Sequence, residues 1–274
     1  MLEVNNMRID LHNHSIHSDG VLTCSQLVDL AIKNKVDIFA LTDHDSVFGC
    51  DEIERIALAK NIKIVKGMEL STEYKGESIH IVCLFKNNIV PKKMLDFSYE
   101  IVERRKNRAI SMMENIKNIY GLKIDLDELF KNNEIITRAN MLRNIAKCNN
   151  LSLKDASFYV SSKSKAYIPS TKMTVEEGLS FAKSCDCVTI LAHPCLYKEE
   201  NVEEILKYGF DGIEARYANI KNDEEKFSKL AKKYNLFISA GSDCHGDETH
   251  ATIGSATLNE FEFAPIAKLL NWRG

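Results

Sequence analysis

The stretch Met7–Gly20, MRIDLHNHSIHSDG, sets the reading of the whole chain. A short apolar start runs into His12, Asn13 and His14, and then into His17, Ser18 and Asp19. Two histidines one residue apart leave an extended backbone on the same face, because strand side chains alternate. Such a pair of imidazoles is a ready ligand set for a divalent ion. Alone, the pair reads equally well as a His-rich turn with no task. Its weight comes from further His and carboxylate residues that close apolar runs downstream.

Working outward, Thr23-Cys24-Ser25-Gln26 has the Thr-x-x-Gln form of a capping box and predicts a helix with Leu27, Val28, Ala31 and Ile32 on one face. Val36–Thr42 is nearly continuous apolar, as a strand covered on both faces should be, and it ends in Asp43-His44-Asp45. A helix from Asp51 to Lys60 leads to a strand Ile62–Leu70 with Glu69 at its end. Ser78–Phe85 is a further strand, containing His80. Beyond residue 165, a helix Val175–Ser184 precedes the strand Cys187–Ala192, which ends in His193-Pro194. A helix Val202–Tyr208 leads to the strand Gly212–Ala215, carrying Glu214 and followed by Arg216 and Tyr217. A helix Asp223–Tyr234 precedes Leu236–Ala240, which ends in Gly241-Ser242-Asp243-Cys244-His245. This alternation, without a repeat of fixed period, predicts a parallel sheet with right-handed crossovers. A chain of 274 residues suits one barrel better than two separate folds.

The pattern changes between residues 87 and 165, where Pro91 to Ser164 reads as helices alone, an insertion into a barrel built from residues 1–86 and 166–274. The insertion holds 15 Lys and Arg against 9 Asp and Glu, leaving 21 against 30 for the remainder. A basic segment on an acidic body fits a lid over an anionic substrate, although Arg104, Arg105, Lys106 and Arg108 read more simply as a solvated helix face. Hydrophobic content of 45% and charged content of 27% are those of an ordinary globular protein. No apolar run has the length of a membrane span, and Met1–Asn6 lacks the regions of a secretory signal, so a cytoplasmic location is expected. The eight cysteines have no zinc-ribbon spacing and read as reduced, buried thiols, Cys185-x-Cys187 included.

The placement of the polar residues matters more than their number. In a parallel α/β barrel the active site lies at the carboxyl ends of the strands. His12, His14, Asp43, His44, Glu69, His193, Asp243 and His245 all fall at or just beyond such ends, and only His17 and His250 have no obvious place in the scheme. Taken together the set predicts metal ions held by nitrogen and oxygen ligands.

These residues resemble the polymerase and histidinol phosphatase (PHP) family of metal-dependent phosphoesterases. The resemblance lies in His12-x-His14 with Ser18-Asp19-Gly20, Thr42-Asp43-His44-Asp45, Gly67-Met68-Glu69, Ala192-His193-Pro194 and Gly241-Ser242-Asp243-Cys244-His245, in the family's order. It implies a distorted (β/α)7, TIM-like barrel with two or three Mn, Fe, Zn or Mg ions. Carried over, His12, His14, Glu69 and Asp243 would hold one ion. Glu69 would bridge to a second ion, bound also by His80 and His193, and Asp19, His44 and His245 would surround a third. Asp43 and Asp45 would orient imidazoles from behind. His80, inside an apolar run, reads equally as a core residue.

Two metals about 3.5–4 Å apart can hold a bridging hydroxide and clamp phosphoryl oxygens during in-line attack, with Glu69, His193 and Asp243 at the centre of the chemistry. The helical insertion, Ile136-Thr137-Arg138, Tyr167-Ile168-Pro169 and Gly212-Ile213-Glu214 resemble the bacterial branch that dephosphorylates nucleoside 3′,5′-bisphosphates or trims short RNA from the 5′ end. Many members of that branch have Arg-Pro-His where this chain has Arg138-Ala139-Asn140. Arg138 is the first candidate to bind substrate phosphate, with Arg143 and Arg216 behind it. Histidinol phosphate hydrolysis and a non-catalytic metal-binding module are the alternatives. The absence of a G-x-x-x-x-G-K-S/T loop disfavours a kinase or ATPase, and a formal charge of −3 disfavours long duplex nucleic acid as partner. A small or end-bound phosphorylated substrate is therefore expected.

Overall fold

The computed structural model describes residues 7–131, 136–169, 172–220 and 223–273, so the reading of Met1–Asn6 lies outside the described residues. The strands are β1 (Ile9–Asp10), β2 (Ile38–Leu41), β3 (Lys63–Tyr74), β4 (Glu77–Phe85), β5 (Met173–Thr174), β6 (Cys187–Leu191), β7 (Gly212–Tyr217) and β8 (Phe237–Gly241). They form one sheet in the order β1-β2-β3-β4-β6-β7-β8, with the short β5 paired to β3 off this path. The two ends of the path meet. Leu11 N–H donates to the Ala240 carbonyl at 3.0 Å, Asp243 N–H donates to the His12 carbonyl at 2.9 Å, and Asn13 bridges Cys244 in parallel. The result is a nearly closed, distorted TIM-like barrel. Every residue of β2 and of β6 is buried, as expected where helices cover one face and the barrel interior fills the other.

The helices are α1 (Cys24–Lys33), α2 (Cys50–Ala59), α3 (Lys92–Tyr120), α4 (Leu126–Lys131), α5 (Arg138–Asn149), α6 (Leu153–Val160), α7 (Val175–Ser184), α8 (Glu199–Leu206), α9 (Glu224–Tyr234) and α10 (Glu260–Leu269). The capping box of α1 forms, with Gln26 N–H donating to the Thr23 hydroxyl and Thr23 N–H to the Gln26 side-chain carbonyl. Leu27, Val28 and Ala31 are buried, but Ile32 is 44% exposed and lies outside the apolar stripe. Between β4 and β5, helices α3 to α6 gather an apolar cluster of their own around Met112, Met113, Ile116 and Met141. Met94, in the first turn of α3, instead joins the barrel's main cluster. Among the described residues no helix is long and apolar enough to cross a membrane.

Two expectations need correction. The sheet is not all parallel, because β3 continues past Glu69 to Tyr74 and returns as β4, antiparallel to both β3 and β6. Lys75 and Gly76 both have positive φ, 49° and 77°, which is the two-residue turn that matches strand twist in a hairpin. The polar Ser71-Thr72-Glu73 made β3 read as ending early. In addition, α10 follows the last sequence-read strand and was not anticipated. Its Phe263 and Ile266 pack against Ile9, Leu11 and Ala240.

Candidate metal centre

Every sequence-predicted metal ligand reaches one cluster at the barrel mouth. The Nε2 atoms of His12 and His14 lie 3.3 and 3.2 Å from Glu69 Oε2, and 3.6 and 3.1 Å from Asp243 Oδ1. The other Glu69 oxygen, Oε1, faces His80 Nδ1 at 3.0 Å and His193 Nε2 at 2.9 Å. Asp19 lies 3.3 Å from His245 Nε2 and 3.7 Å from His44 Nε2. His44 also brings Nδ1 to 3.0 Å from Glu69 Oε2, so it stands between two groups rather than in one. Reversal of β4 explains His80. On an antiparallel strand the first half lies at the catalytic rim, and His80 sits opposite Ser71, just above Glu69.

Groups behind the ligands fix their aim. His12 Nδ1–H donates to Glu214 Oε1 at 3.1 Å, which turns Nε2 toward the cluster, and Glu214 also accepts the His193 N–H at 2.6 Å. A bulge in β7 between Glu214 and Arg216 breaks the two-residue period, so that Glu214 and Tyr217 both face the site. Tyr217 donates to Asp243 Oδ2 at 2.9 Å. Tyr197 takes the His80 N–H at 2.9 Å and lies 3.0 Å from His193 Nδ1. Gly241 is required where β8 passes under this network, since a Cβ there would come 2.2 Å from Glu214 Oε1 and from His12 Cβ. Asp45, His193 and Asp243, each in a turn after a strand, hold positive φ of 51°, 29° and 50°, a costly conformation that concentrates at working sites.

Among the described residues Asp43 and Asp45 are bound by hydroxyls, backbone N–H groups and a guanidinium. Asp43 accepts Ser15 N–H, Ser15 O–H and Ser18 O–H at 2.7, 2.7 and 2.6 Å and thereby locks the loop that carries His14 and Asp19. Asp45 accepts Ser71 N–H at 2.7 Å and pairs with Arg105. The three candidate arginines part company. Arg138, exposed, opens α5 behind the Thr137 cap. Arg143 donates to the Asp19 carbonyl at 2.9 Å and to Asp247 at 3.1 Å, on the rim of the cluster. Arg216 is a strut to α10, donating to Glu262 at 2.8 and 2.5 Å and to Glu224 at 2.7 Å. His250, left without a place by the sequence, stacks on His245 with ring centroids 4.0 Å apart.

The donors fit a metal. Of six buried side-chain N and O atoms without a hydrogen-bond partner among the described residues, five belong to predicted ligands: His12 Nε2, His14 Nε2, Asp19 Oδ1, His44 Nδ1 and Glu69 Oε2. Leaving such atoms unpaired is costly unless something coordinates them. Within the protein alone the charges answer one another. Burial opposes a charge on His12, but Glu69, Glu214 and Asp243 outweigh it and hold the imidazole well above its usual range. Burial likewise works against the Glu69 carboxylate, and His44, His12 and His80 hold it well below. His80, burial winning, is pushed down to about 4. Glu214→Gln is expected to lower metal affinity about 10- to 100-fold, the usual effect of losing an imidazole's outer partner, measurable by calorimetric titration.

Residues 10–137 match the PHP domain. The 5'-3' exoribonuclease Rnm of Escherichia coli (strain K12) is 30% identical over 251 residues, covering 86% of this chain and 84% of that protein. The 3',5'-nucleoside bisphosphate phosphatase of Chromobacterium violaceum is 27% identical over 248 residues, covering 86% and 87%. A crystal structure from Bifidobacterium adolescentis has the same fold, with a TM-score of 0.83 at 23% identity, covering 95% and 96%. Barrel, site and relatives together define a metal-dependent phosphoesterase, a hydrolase that works with divalent ions. The chain belongs to the PHP family.

Proposed function

We propose that the chain hydrolyses phosphate esters of small nucleotides, either a nucleoside 3′,5′-bisphosphate or the 5′ end of a short oligonucleotide. Two or three ions (Mn, Fe, Zn or Mg) would be held by His12, His14, Asp19, His44, Glu69, His80, His193, Asp243 and His245. The observation that carries the substrate class is a gathering of cations beside the cluster. Arg105 reaches Asp45 and Ser71. Lys172 donates to Ser78, whose hydroxyl lies 3.1 Å from His80 Nε2. Burial pushes Lys172 down to about 8, with Arg105 and Arg138 adding to the effect. Arg108 is lowered by burial too, with Arg138 and Arg105 again close by. Mutually repelling cations next to a metal site suit a ligand rich in negative charge, and the named relatives act on nucleotides or RNA.

Divalent ions in such a site supply Lewis-acid charge for phosphoryl oxygens and make water a competent nucleophile near neutral pH. The chain's own part is placement. Glu69 offers one oxygen to each side of the cluster, Glu214 and Tyr217 hold His12 and Asp243 in aim, and helices α3 to α6, as a lid, bring Arg105, Arg108, Arg138 and Arg143 over the mouth. The setting would be the cytoplasm, where unpaired thiols such as its eight cysteines persist.

A phosphate-release screen with Mn²⁺ tests the reading. Adenosine 3′,5′-bisphosphate or a 5′-phosphorylated trinucleotide should be preferred over AMP and histidinol phosphate, and a preference for histidinol phosphate would overturn it. A charge-assisted contact to phosphate contributes about 1.5–3 kcal/mol, so Arg138→Ala and Lys172→Ala should each raise KM roughly 10- to 100-fold while leaving kcat nearly unchanged. Unchanged KM in both variants would remove these cations from the substrate site.

A further inference from the structure

His17 and Cys24 take no part in the chemistry derived above. His17 stands in the loop between His14 and Asp19, and its ring lies so close to Gly49 that a Cβ there would come 2.7 Å from its Cδ2. Its Nε2 is 3.1 Å from Oε2 of Glu52, in the first turn of α2. Cys24, the first residue of α1, is fully buried and points its thiol at the same place, with Sγ 3.8 Å from the Gly49 carbonyl. The ligand atoms of His17, Cys24 and Glu52 all lie within 4.8 Å of one another. Among the described residues no other such group contains a cysteine, and the catalytic cluster offers only nitrogen and oxygen.

We propose that His17, Cys24 and Glu52 form a second kind of metal site, specific for a borderline-soft divalent ion such as Zn²⁺, with the fourth position open to water. Thiolate, imidazole and carboxylate are the three side-chain ligands zinc uses, and three of them with one open position is a familiar coordination. Hard ions such as Mg²⁺ and Mn²⁺ prefer oxygen and leave a thiol alone. Coordination removes the thiol proton to solvent, so the bound form is a thiolate. The three ligands come from the loop that carries Asp19 and from the starts of α1 and α2. An ion here ties that loop to both helices and holds Asp19 in place without touching substrate.

The test is optical. Cd²⁺, a thiophilic stand-in for Zn²⁺, gives an ultraviolet thiolate-to-metal charge-transfer band that an N/O cluster cannot produce. The metal-free full chain should develop this band with the intensity of one thiolate–metal bond per chain at saturation, while the nitrogen and oxygen cluster takes up further Cd²⁺ without adding to it, and Cys24→Ser should abolish the band. His17→Ala and Glu52→Gln keep the thiol and should weaken the binding that the band reports by at least about 10-fold, the lower bound for losing even an outer partner. No band in the unaltered protein overturns the proposal. So does a full band in Cys24→Ser, which would place the thiolate elsewhere, and so does unchanged affinity in both His17→Ala and Glu52→Gln.

Discussion

Glu69→Gln is expected to abolish phosphate release, lowering kcat by a factor on the order of 10³ or more, the scale seen when one member of a group that acts as a unit is removed. Glu69 is fully buried and meets five imidazoles, with His12, His14 and His44 at one oxygen and His80 and His193 at the other. Glutamine preserves shape and volume but withdraws the negative charge that both sides of the cluster share. Any ion held on either side would then lose part of its neutralising ligand field, so metal content and activity should fall together. In the metal-free protein, breaking a buried ion pair costs about 3–5 kcal/mol, and release of protons by the abandoned histidines recovers part of it. The variant should therefore melt lower without metal, yet remain folded. Activity and metal content equal to those of the unaltered chain would refute a bridging role for Glu69.

Most of the side chains that meet in the cluster were legible in the sequence because they close apolar runs, and strand ends define one rim of a barrel. His12, His14, His44, His193, Asp243 and His245 could thus be placed without coordinates. His80 was harder, because β3 runs on through polar residues and turns back at Lys75-Gly76, a hairpin hidden in an otherwise parallel pattern. The supporting groups left weaker traces. Glu214 is a buried carboxylate in an apolar strand, a signal that could have been used, whereas the bulge that brings Tyr217 to the same face has none. Tyr197 reaches His193 from a short turn, and Lys172 reaches Ser78 across 94 residues of chain. Arg216, a weaker candidate for phosphate that an ordinary ion pair would explain about as well, is found in such a pair. An arginine near the end of a strand serves a helix terminus as readily as a phosphate, and here Glu262 in the first turn of α10 takes it.

Metal affinity should climb steeply between pH 7 and 9, opposite in sign to the stability of the metal-free protein. Burial works against charge on His44, but Glu69 and Asp19 push it up to about 9. Burial is likewise outweighed at His245, which Asp19 and Asp243 push up to about 10. Without metal both imidazoles are therefore protonated at neutral pH, and an ion must displace those protons to reach the ring nitrogens. Each displaced proton makes affinity change about tenfold per pH unit, so these two give roughly 100-fold per unit until the pH passes about 9, and His12, also held well above its usual range, steepens the slope further. His80, pushed down to about 4, has no proton to give and adds nothing to the slope. For folding, a raised imidazole contributes stability that is complete below its unfolded value near 6.5 and is lost as pH rises through the folded value, here about 9 and about 10. The lowered Glu69 and Asp243 carboxylates act at the other end, contributing above about pH 4 and losing their effect as pH falls through the folded values. Thermal melts should diverge accordingly, with Tm in chelator falling from pH 7 to 9 while the increment added by saturating Mn²⁺ grows. A metal-induced increment that stays constant over that range would mean the imidazoles are already neutral before the ion arrives.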